Sequence, residues 1–89
     1  MRVNSESLLE FPCRFPIKIM GRNRDEFKTV ASEIVLRHAE LYAGEQVTTN
    51  ASAESNFLSV TVTIEALSQG QLDDIYRDLT DCDQVLMAL

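Results

Sequence analysis

The stretch Phe57–Ala66, which reads FLSVTVTIEA, decides the fold. Leu58, Val60, Val62 and Ile64 occupy every second position, and most of the residues between them carry hydroxyl groups. This period of two is typical of a β-strand that buries only one face. Such a strand favours an antiparallel sheet whose other face is open to solvent.

The sequence on either side of this strand predicts three more strands and two helices. Apolar and polar residues alternate in two short segments, 15–20 and 46–50, and an apolar segment at 85–89 closes the chain. We interpret these three segments as strands. Apolar residues recur at helical spacing in two longer segments, 24–41 and 69–80, which predict amphipathic helices.

Both predicted helices have recognisable ends. Asn23 followed by Glu26, and Ser68 followed by Gln71, have the spacing of a capping box at a helix N-terminus. His38 falls in the last turn of the first helix, where a positive charge is favoured. A structural role for this histidine is therefore the better interpretation.

The order β-α-β-β-α-β indicates a ferredoxin-like α+β fold. We expect a two-layer sandwich in which both helices cover one face of a four-stranded antiparallel sheet. Residues 1–14 show no sustained period and are interpreted as a flexible lead-in, with Leu8, Leu9 and Phe11 as candidates for contact with the body. Residues 15–89 form the single predicted domain.

Charge narrows the choice of partners. The chain has 89 residues, 8 basic and 14 acidic, and a net charge of −6. Nucleic acids and anionic membranes are therefore disfavoured, because both are bound through basic charge. Residues 1–44 hold seven of the eight basic residues, so one region of the fold is expected to be modestly basic.

The sequence also indicates where the protein works. It has no apolar segment near the roughly 18 residues that a membrane span needs, and its first residues lack the apolar core of a secretory signal. We expect a cytoplasmic protein. Small size leaves little room for a core, so a homodimer is plausible on stability grounds.

The cysteines and the histidine do not form a recognisable site. Cys13 and Cys82 lie far apart in sequence, no CxxC pair is present, and His38 is the single histidine. The predicted topology places the two cysteines at opposite ends of the sheet, roughly 20 Å apart, which is too far for a disulfide. We expect free thiols, no metal site and no cofactor.

The first candidate site is the turn between the first strand and the first helix, made of Gly21, Arg22, Asn23 and Arg24. A glycine before a helix exposes backbone N–H groups, and arginine side chains suit an anion. Strand-to-helix turns also need such residues for structural reasons, so we favour the structural interpretation.

The second candidate site is the open face of the sheet. Its predicted side chains are those of Lys18, Met20, Phe57, Ser59, Thr61, Thr63, Leu86 and Ala88. Met20, Phe57 and Leu86 can form an apolar patch, and such patches often mark an interface. An ordinary solvated face is an equally good interpretation.

No pattern indicates an enzyme. The sequence lacks a nucleophile motif, a glycine-rich phosphate loop and the acidic spacing of a calcium loop. RNA-recognition modules need basic charge and several aromatics on the sheet, whereas Phe57 stands nearly alone here. A non-catalytic regulatory or protein-binding module remains, with an unknown protein partner.

Several segments resemble one family. The chain has Leu-Leu-Glu-Phe-Pro at 8–12, Met-Gly at 20–21, Arg-His-Ala at 37–39 and the long strand 57–66, in an order similar to the YbeD-like family of small bacterial proteins of unknown function. It departs from that family at Cys13 and Phe57, where Thr-like and Tyr residues are expected, and at Ala39-Glu40-Leu41, which replaces a proline-containing exit from the first helix.

This resemblance implies a fold similar to the ACT-type regulatory domains of amino-acid biosynthetic enzymes. It implies a link to lipoate metabolism, since members have been proposed as lipoate regulatory proteins, and it names no catalytic residue. It also leaves a second function open: a sensor that binds an anionic or amino-acid-like ligand beside Gly21, Arg22 and Asn23, as ACT-type domains do at the equivalent turn.

Overall fold

A computed structural model of the protein describes residues 10–89. The elements follow the order β1, α1, β2, β3, α2, β4. Their bounds are Cys13–Arg22, Phe27–Leu36, Thr48–Ala51, Phe57–Ala66, Gln69–Thr80 and Val85–Ala88. The sheet has the strand order β2-β3-β1-β4, and every neighbouring pair is antiparallel. The predicted ferredoxin-like fold is confirmed.

The centre of the fold is the pairing of β1 with β3. All ten residues of each strand are paired, and Ile17 lies opposite Val62 while Ile19 lies opposite Val60. Opposed residues of an antiparallel pair project to the same face, so these four side chains form the floor of one core. The helices complete it, and the buried apolar residues are Ile17, Ile19, Phe27, Ala31, Ile34, Val35, Val60, Val62, Ile64, Ala66, Leu72, Ile75 and Leu79.

β1 starts earlier than the alternation predicts. Cys13 and Arg14, which fall within the predicted lead-in 1–14, are strand residues because they pair with Ala66 and Glu65. Phe11 packs against the core from just outside the strand, as anticipated. Residues 1–9, with Leu8 and Leu9, lie outside the described residues.

Helix α1 is shorter than predicted at its start. It begins at Phe27 rather than residue 24, and Glu26 at the N-cap makes no side-chain capping hydrogen bond. The capping box predicted at Asn23 is therefore wrong. Asn23 is hydrogen-bonded to the β2–β3 loop instead. Its backbone N–H donates to the Asn56 carbonyl at 3.0 Å, and its side-chain amide donates to the Ser55 carbonyl at 3.0 Å.

Helix α1 is also shorter at its end, where it stops at Leu36 instead of residue 41. The last turn tightens, because the His38 N–H donates to the carbonyl of Val35, three residues back. The His38 carbonyl then accepts a hydrogen bond from the Gln71 side chain at 2.9 Å. The Gln71 side chain thereby satisfies a backbone acceptor just beyond the end of α1.

Helix α2 matches the prediction of 69–80. Ser68 caps it, and its hydroxyl accepts from the Gln71 N–H at 3.1 Å. The Gln71 side chain does not complete the reciprocal bond of a capping box. It donates to the His38 carbonyl and accepts from the Leu67 N–H, so it joins α1, α2 and the end of β3.

An irregularity in β4 changes which side chains face solvent. Met20 pairs with Met87 while Gly21 pairs with Val85, so Leu86 is an extra residue at a β-bulge. Ala88, predicted on the open face, lies opposite the buried Ile19 and packs against the core, so that prediction is wrong.

The two cysteines are free and half-buried. Cys13 is the first residue of β1. Cys82 lies near the other end of this strand, because its carbonyl accepts from the Val85 N–H and Val85 pairs with Gly21. Eight residues of strand separate these two levels, which is roughly 26 Å. We expect the mass of the purified protein to be unchanged by reduction, and a 2-dalton increase would contradict this.

Gly21 is required by close packing. A Cβ atom at this position would lie 2.5 Å from the Gln84 carbonyl oxygen and 2.5 Å from the ring of Phe27. Neither group can move freely, because one is backbone and the other is a fully buried ring. The glycine therefore allows β1, α1 and the start of β4 to meet.

We predict that Gly21→Ala lowers the free energy of unfolding by about 1–3 kcal/mol through this overpacking. Gly70→Ala is the matched control, because its Cβ would meet only the Ser68 hydroxyl at 3.9 Å and alanine is the better helix former. Chemical denaturation of both variants measures the difference. Equal stabilities would contradict the proposed close contact.

Candidate functional site

The face of the sheet opposite the helices is organised in rows across the strands. One row runs Asn50, Ser59, Met20 and Met87 from β2 to β4. The next row runs from Thr48 through Thr61 and Lys18 to Leu89, which exchanges two backbone hydrogen bonds with Lys18. A third pair sets Phe57 opposite Arg22. The register therefore brings Lys18, Met20, Phe57, Ser59 and Thr61 onto one surface, as predicted.

An apolar patch lies on this surface and consists of Met20, Phe57, Met87 and Leu89. Phe57 is 39% exposed, Met87 51% and Leu89 64%, while Met20 is half-buried. Met20, Phe57 and Leu89 line one shallow depression together with Lys18 and Asn50. Large apolar side chains grouped in this way are characteristic of interaction surfaces.

The patch has a cationic rim. The Arg22 guanidinium lies over the Phe57 ring, 5.8 Å from its centroid, which is within the range of a cation–π contact. Lys18 lies beside Leu89 in the neighbouring row and is exposed. The surface therefore combines apolar area with two positive charges, in a protein whose net charge is −6.

Thr63 lies on the open face, as predicted, but it is covered there and is not available for binding. It is 3% exposed although it lies opposite Pro16 on the open face. The loop before β2 covers this end: the Tyr42 N–H donates to the Thr63 carbonyl at 2.9 Å, and the Arg14 guanidinium donates to the Glu45 carboxylate at 2.8 Å. That hydrogen bond also raises the pKa of Arg14.

A small cleft adjoins the patch at the turn after β1. It has a volume of about 250 Å³ and is lined by Arg22, Arg24, Asp83, Gln84 and Leu86. The side-chain oxygen of Gln84 is buried there without a hydrogen-bond partner among the described residues. The cleft thus brings two guanidinium groups and one carboxylate together at the turn.

Of the four predicted turn residues, two line the cleft and two have structural roles. Arg22 and Arg24 line the cleft. Gly21 is buried beneath Phe27, and Asn23 is held by the β2–β3 loop, so neither is available to a ligand in the way predicted. Leu86, predicted for the sheet face, projects beside the two arginines because it is the extra residue of the bulge.

His38 connects the two helices. Its Nε2–H donates to the Asp78 carboxylate at 2.7 Å. The His38 side chain is 27% exposed and the Asp78 side chain is 35% exposed. No serine or cysteine within residues 10–89 is hydrogen-bonded to the ring, so the pair lacks the nucleophile that a catalytic triad needs. The contact fastens α1 to α2, in agreement with the structural interpretation.

Other site classes receive no support from residues 10–89. This part of the chain brings together no group of three or more histidine, cysteine or acidic side chains with metal-site geometry. None of its helices is both long and apolar enough to cross a bilayer.

Sequence reasoning missed several residues of the site. Met87 and Leu89 were missed because the predicted open face took Leu86 and Ala88 from this segment. Every residue of Val85–Leu89 is apolar, so the alternation carries no marker of the face. The bulge at Leu86 then turns the side chain of Met87 to the open face, opposite Met20. Asp83 and Gln84 gave no signal, because their place beside Arg22 depends on how β4 returns to β1.

Comparison with known proteins supports the architecture. Residues 6–89 match the family described as "Protein of unknown function (DUF493)". The chain belongs to this family. A UPF0250 protein from Chromobacterium violaceum is 45% identical over 89 residues, which is 100% of both chains. A UPF0250 protein from Neisseria gonorrhoeae is 41% identical over 86 residues, covering 97% of this chain and 94% of the relative.

Solved structures place this DUF493 protein among ACT-like ferredoxin folds. Protein HP0495 from H. pylori superposes with a TM-score of 0.72 at 17% identity, covering 100% of this chain and 97% of that one. The ACT domain from GTP pyrophosphokinase of Chlorobium tepidum superposes with a TM-score of 0.66 at 12% identity, covering 85% and 94%. At these identities the likeness establishes the fold alone.

We predict an acid-dependent loss of stability at the junction of the helices. The hydrogen bond from His38 lowers the pKa of the Asp78 carboxyl. A lowered pKa in the folded state stabilises the fold above the ordinary carboxyl pKa, and this contribution is lost as the pH falls through about 4 and below. Asp78→Asn should therefore flatten the acid side of the profile of unfolding free energy against pH.

Asp25→Asn is the control for that measurement, because it removes the same charge from an exposed position before α1. It should leave the shape of the acid profile close to that of the wild type. Superimposable profiles for Asp78→Asn and the wild type would show that the helix junction does not depend on this pair.

Proposed function

We propose that this protein is a non-catalytic regulatory or adaptor domain that binds a partner protein through the apolar patch on its open sheet face. The observation that carries the proposal is the patch itself: Met20, Phe57, Met87 and Leu89 leave substantial apolar area exposed on a surface that no element among residues 10–89 covers. The ACT-like fold of the DUF493 family is compatible with this role, since the fold hosts regulatory modules.

The rim of the patch limits the chemistry of the partner. Lys18 and Arg22 bracket the apolar side chains with positive charge. A complementary segment would present apolar side chains to Met20 and Phe57 and carboxylates to the two cations. We include in the proposal the cytoplasmic setting expected from the sequence and the link to lipoate metabolism that the family resemblance implies. A protein of that metabolism is the expected partner.

A photo-crosslinking experiment tests the proposal. A benzophenone amino acid placed at position 57 should yield a discrete crosslinked partner in cells, because Phe57 lies in the patch beside its cationic rim. Leu36 on α1 is the matched control, since both side chains are 39% exposed. Position 36 should give no such product. Mass spectrometry of the crosslinked species identifies the partner and tests the lipoate link.

Two results would contradict the proposal. One is the same set of crosslinks at positions 57 and 36, which would indicate random encounter. The other is an unchanged crosslink from position 57 when Lys18→Glu and Met87→Asp are introduced, because these changes reverse one of the two rim charges and place a charge within the patch.

A second candidate function is supported by the cleft beside the patch. Arg22 and Arg24 offer two guanidinium groups, and the Asp83 carboxylate in the lining of the same cleft offers an acceptor. A small molecule with a carboxylate and an adjacent N–H or O–H donor complements this set. An amino-acid-like ligand has this chemistry, so the cleft favours a small-molecule sensor as the alternative.

We predict that titration with amino acids and with lipoate distinguishes the two functions. For a sensor, the amide signals of residues 20–26 and 83–86 should shift in NMR spectra, and the paired change Arg22→Gln with Arg24→Gln should abolish the shifts. If these amides do not move with any of these ligands, the sensor function is rejected for them, and the adaptor proposal is unaffected.

A further inference from the structure

The apolar patch holds two methionines that lie opposite each other on neighbouring strands. The chain has three methionines, which are Met1, Met20 and Met87. Met20 of β1 is the register partner of Met87 of β4, so both side chains project from the open face with their Cβ atoms roughly 5 Å apart. The patch therefore contains two adjacent thioether groups.

Met20 lies in the middle of the patch and Met87 lies at its outer side. Met20 has Ser59 on one side and Met87 on the other. Phe57 and Leu89 occupy positions diagonal to Met20. Met20 is accordingly half-buried, whereas Met87 is 51% exposed on an edge strand of the sheet. A dissolved oxidant therefore reaches Met87 more readily than Met20.

The two methionines do not contribute to the hydrophobic core. Among residues 10–89, the core and the side chains packed against it include neither Met20 nor Met87. Conversion of a methionine to its sulfoxide disrupts a core, because it places a polar group among apolar ones. At these two positions the core is left intact, so the change is confined to the patch.

A hydroperoxide is the class of oxidant that carries out this conversion. The lone pair of the Met87 sulfur attacks one oxygen of hydrogen peroxide, an S–O bond forms and the O–O bond breaks. The hydroxide that leaves takes the proton of the transferred oxygen and becomes water. The thioether is oxidised by two electrons to a sulfoxide, and the peroxide is reduced by the same two electrons.

The sulfoxide changes what the patch can bind. A thioether is apolar and a weak hydrogen-bond acceptor, whereas the sulfoxide is a polar group. A partner that presents apolar side chains and carboxylates to the patch offers no donor to the new oxygen. Burial of this oxygen at the contact is therefore unfavourable.

We propose that Met87 is a modification site through which a hydroperoxide controls the apolar patch. Oxidation to the sulfoxide releases the partner protein while the domain stays folded. This inference rests on the proposed function, because it assigns a regulation to the same patch. The modification itself can be measured with no partner present.

Peptide mapping of the purified protein after treatment with hydrogen peroxide tests the modification site. A gain of one oxygen atom, about 16 Da, should appear at Met87 before it appears at Met20. The singly oxidised protein should keep the urea midpoint of the untreated protein, because its core is intact. Earlier oxidation of Met20, or a lower midpoint once Met87 is oxidised, would overturn the proposal.

Crosslinking from position 57 tests the effect on binding. Treatment of cells with hydrogen peroxide before illumination, at a dose that oxidises Met87, should lower the crosslink yield about tenfold, as expected for one unpaired polar group at a contact. In Met87→Leu, the yields before and after treatment should be equal, because leucine has no thioether. Met20→Leu is the matched control and should stay sensitive to peroxide. Both variants keep the two free cysteines, so thiol oxidation is the same in each.

An equal loss of yield in Met87→Leu would overturn the proposal, because the loss would then come from the partner or from a thiol. An undiminished yield from wild-type protein that carries the Met87 sulfoxide would also overturn it. Absence of any crosslink before treatment contradicts the proposed function instead, and the order of oxidation then still decides whether Met87 is the modification site.

Discussion

The ten-residue pairing of β1 with β3 is the interaction on which the rest of the structure depends. It sets Ile17 and Ile19 against Val62 and Val60 on one face, and Lys18 and Met20 against Thr61 and Ser59 on the other. A one-residue slip would exchange these two sets, so the apolar alternation of both strands fixes a single register. Both helices then have one face on which to pack.

The same pairing creates the surface that the protein has available for binding. With α1 and α2 on one side, the other side receives Met20 and Phe57 from the central strands and Met87 and Leu89 from the end of the chain's last strand. These apolar side chains are outside the core. The core and the exposed apolar patch thus occupy opposite faces of the same two strands.

The turn after β1 joins this surface to the helical layer. Gly21 brings β1 against Phe27 and Gln84, and the next residue, Arg22, reaches both the Phe57 ring and the turn cleft. The patch and the cleft are consequently neighbours that share one guanidinium.

The elements with strong periodicity were predictable from the sequence, and the contacts between distant segments were not. The apolar patterns of Phe57–Ala66 and Gln69–Thr80 predicted the bounds of β3 and α2 correctly, because each element buries one face and that burial requires the observed spacing of apolar residues. The ends of α1 were wrong, since Asn23 is bonded to Ser55 and the His38 carbonyl to Gln71, partners more than 30 residues away. The exposure of Met87 depends likewise on a bulge that leaves no mark in an apolar segment.

The central claim is that the apolar patch is kept for binding rather than for folding. The free energy of unfolding of the double variant Met87→Ser and Leu89→Ser, at the two most exposed positions of the patch, tests it most directly, against Val60→Ala as a core substitution in the same sheet. We predict that the patch variant stays within about 0.5 kcal/mol of the wild type, as expected of exposed positions, whereas Val60→Ala loses about 2 kcal/mol or more. A patch variant as destabilised as Val60→Ala would show that the open face holds the fold together, and would contradict the account.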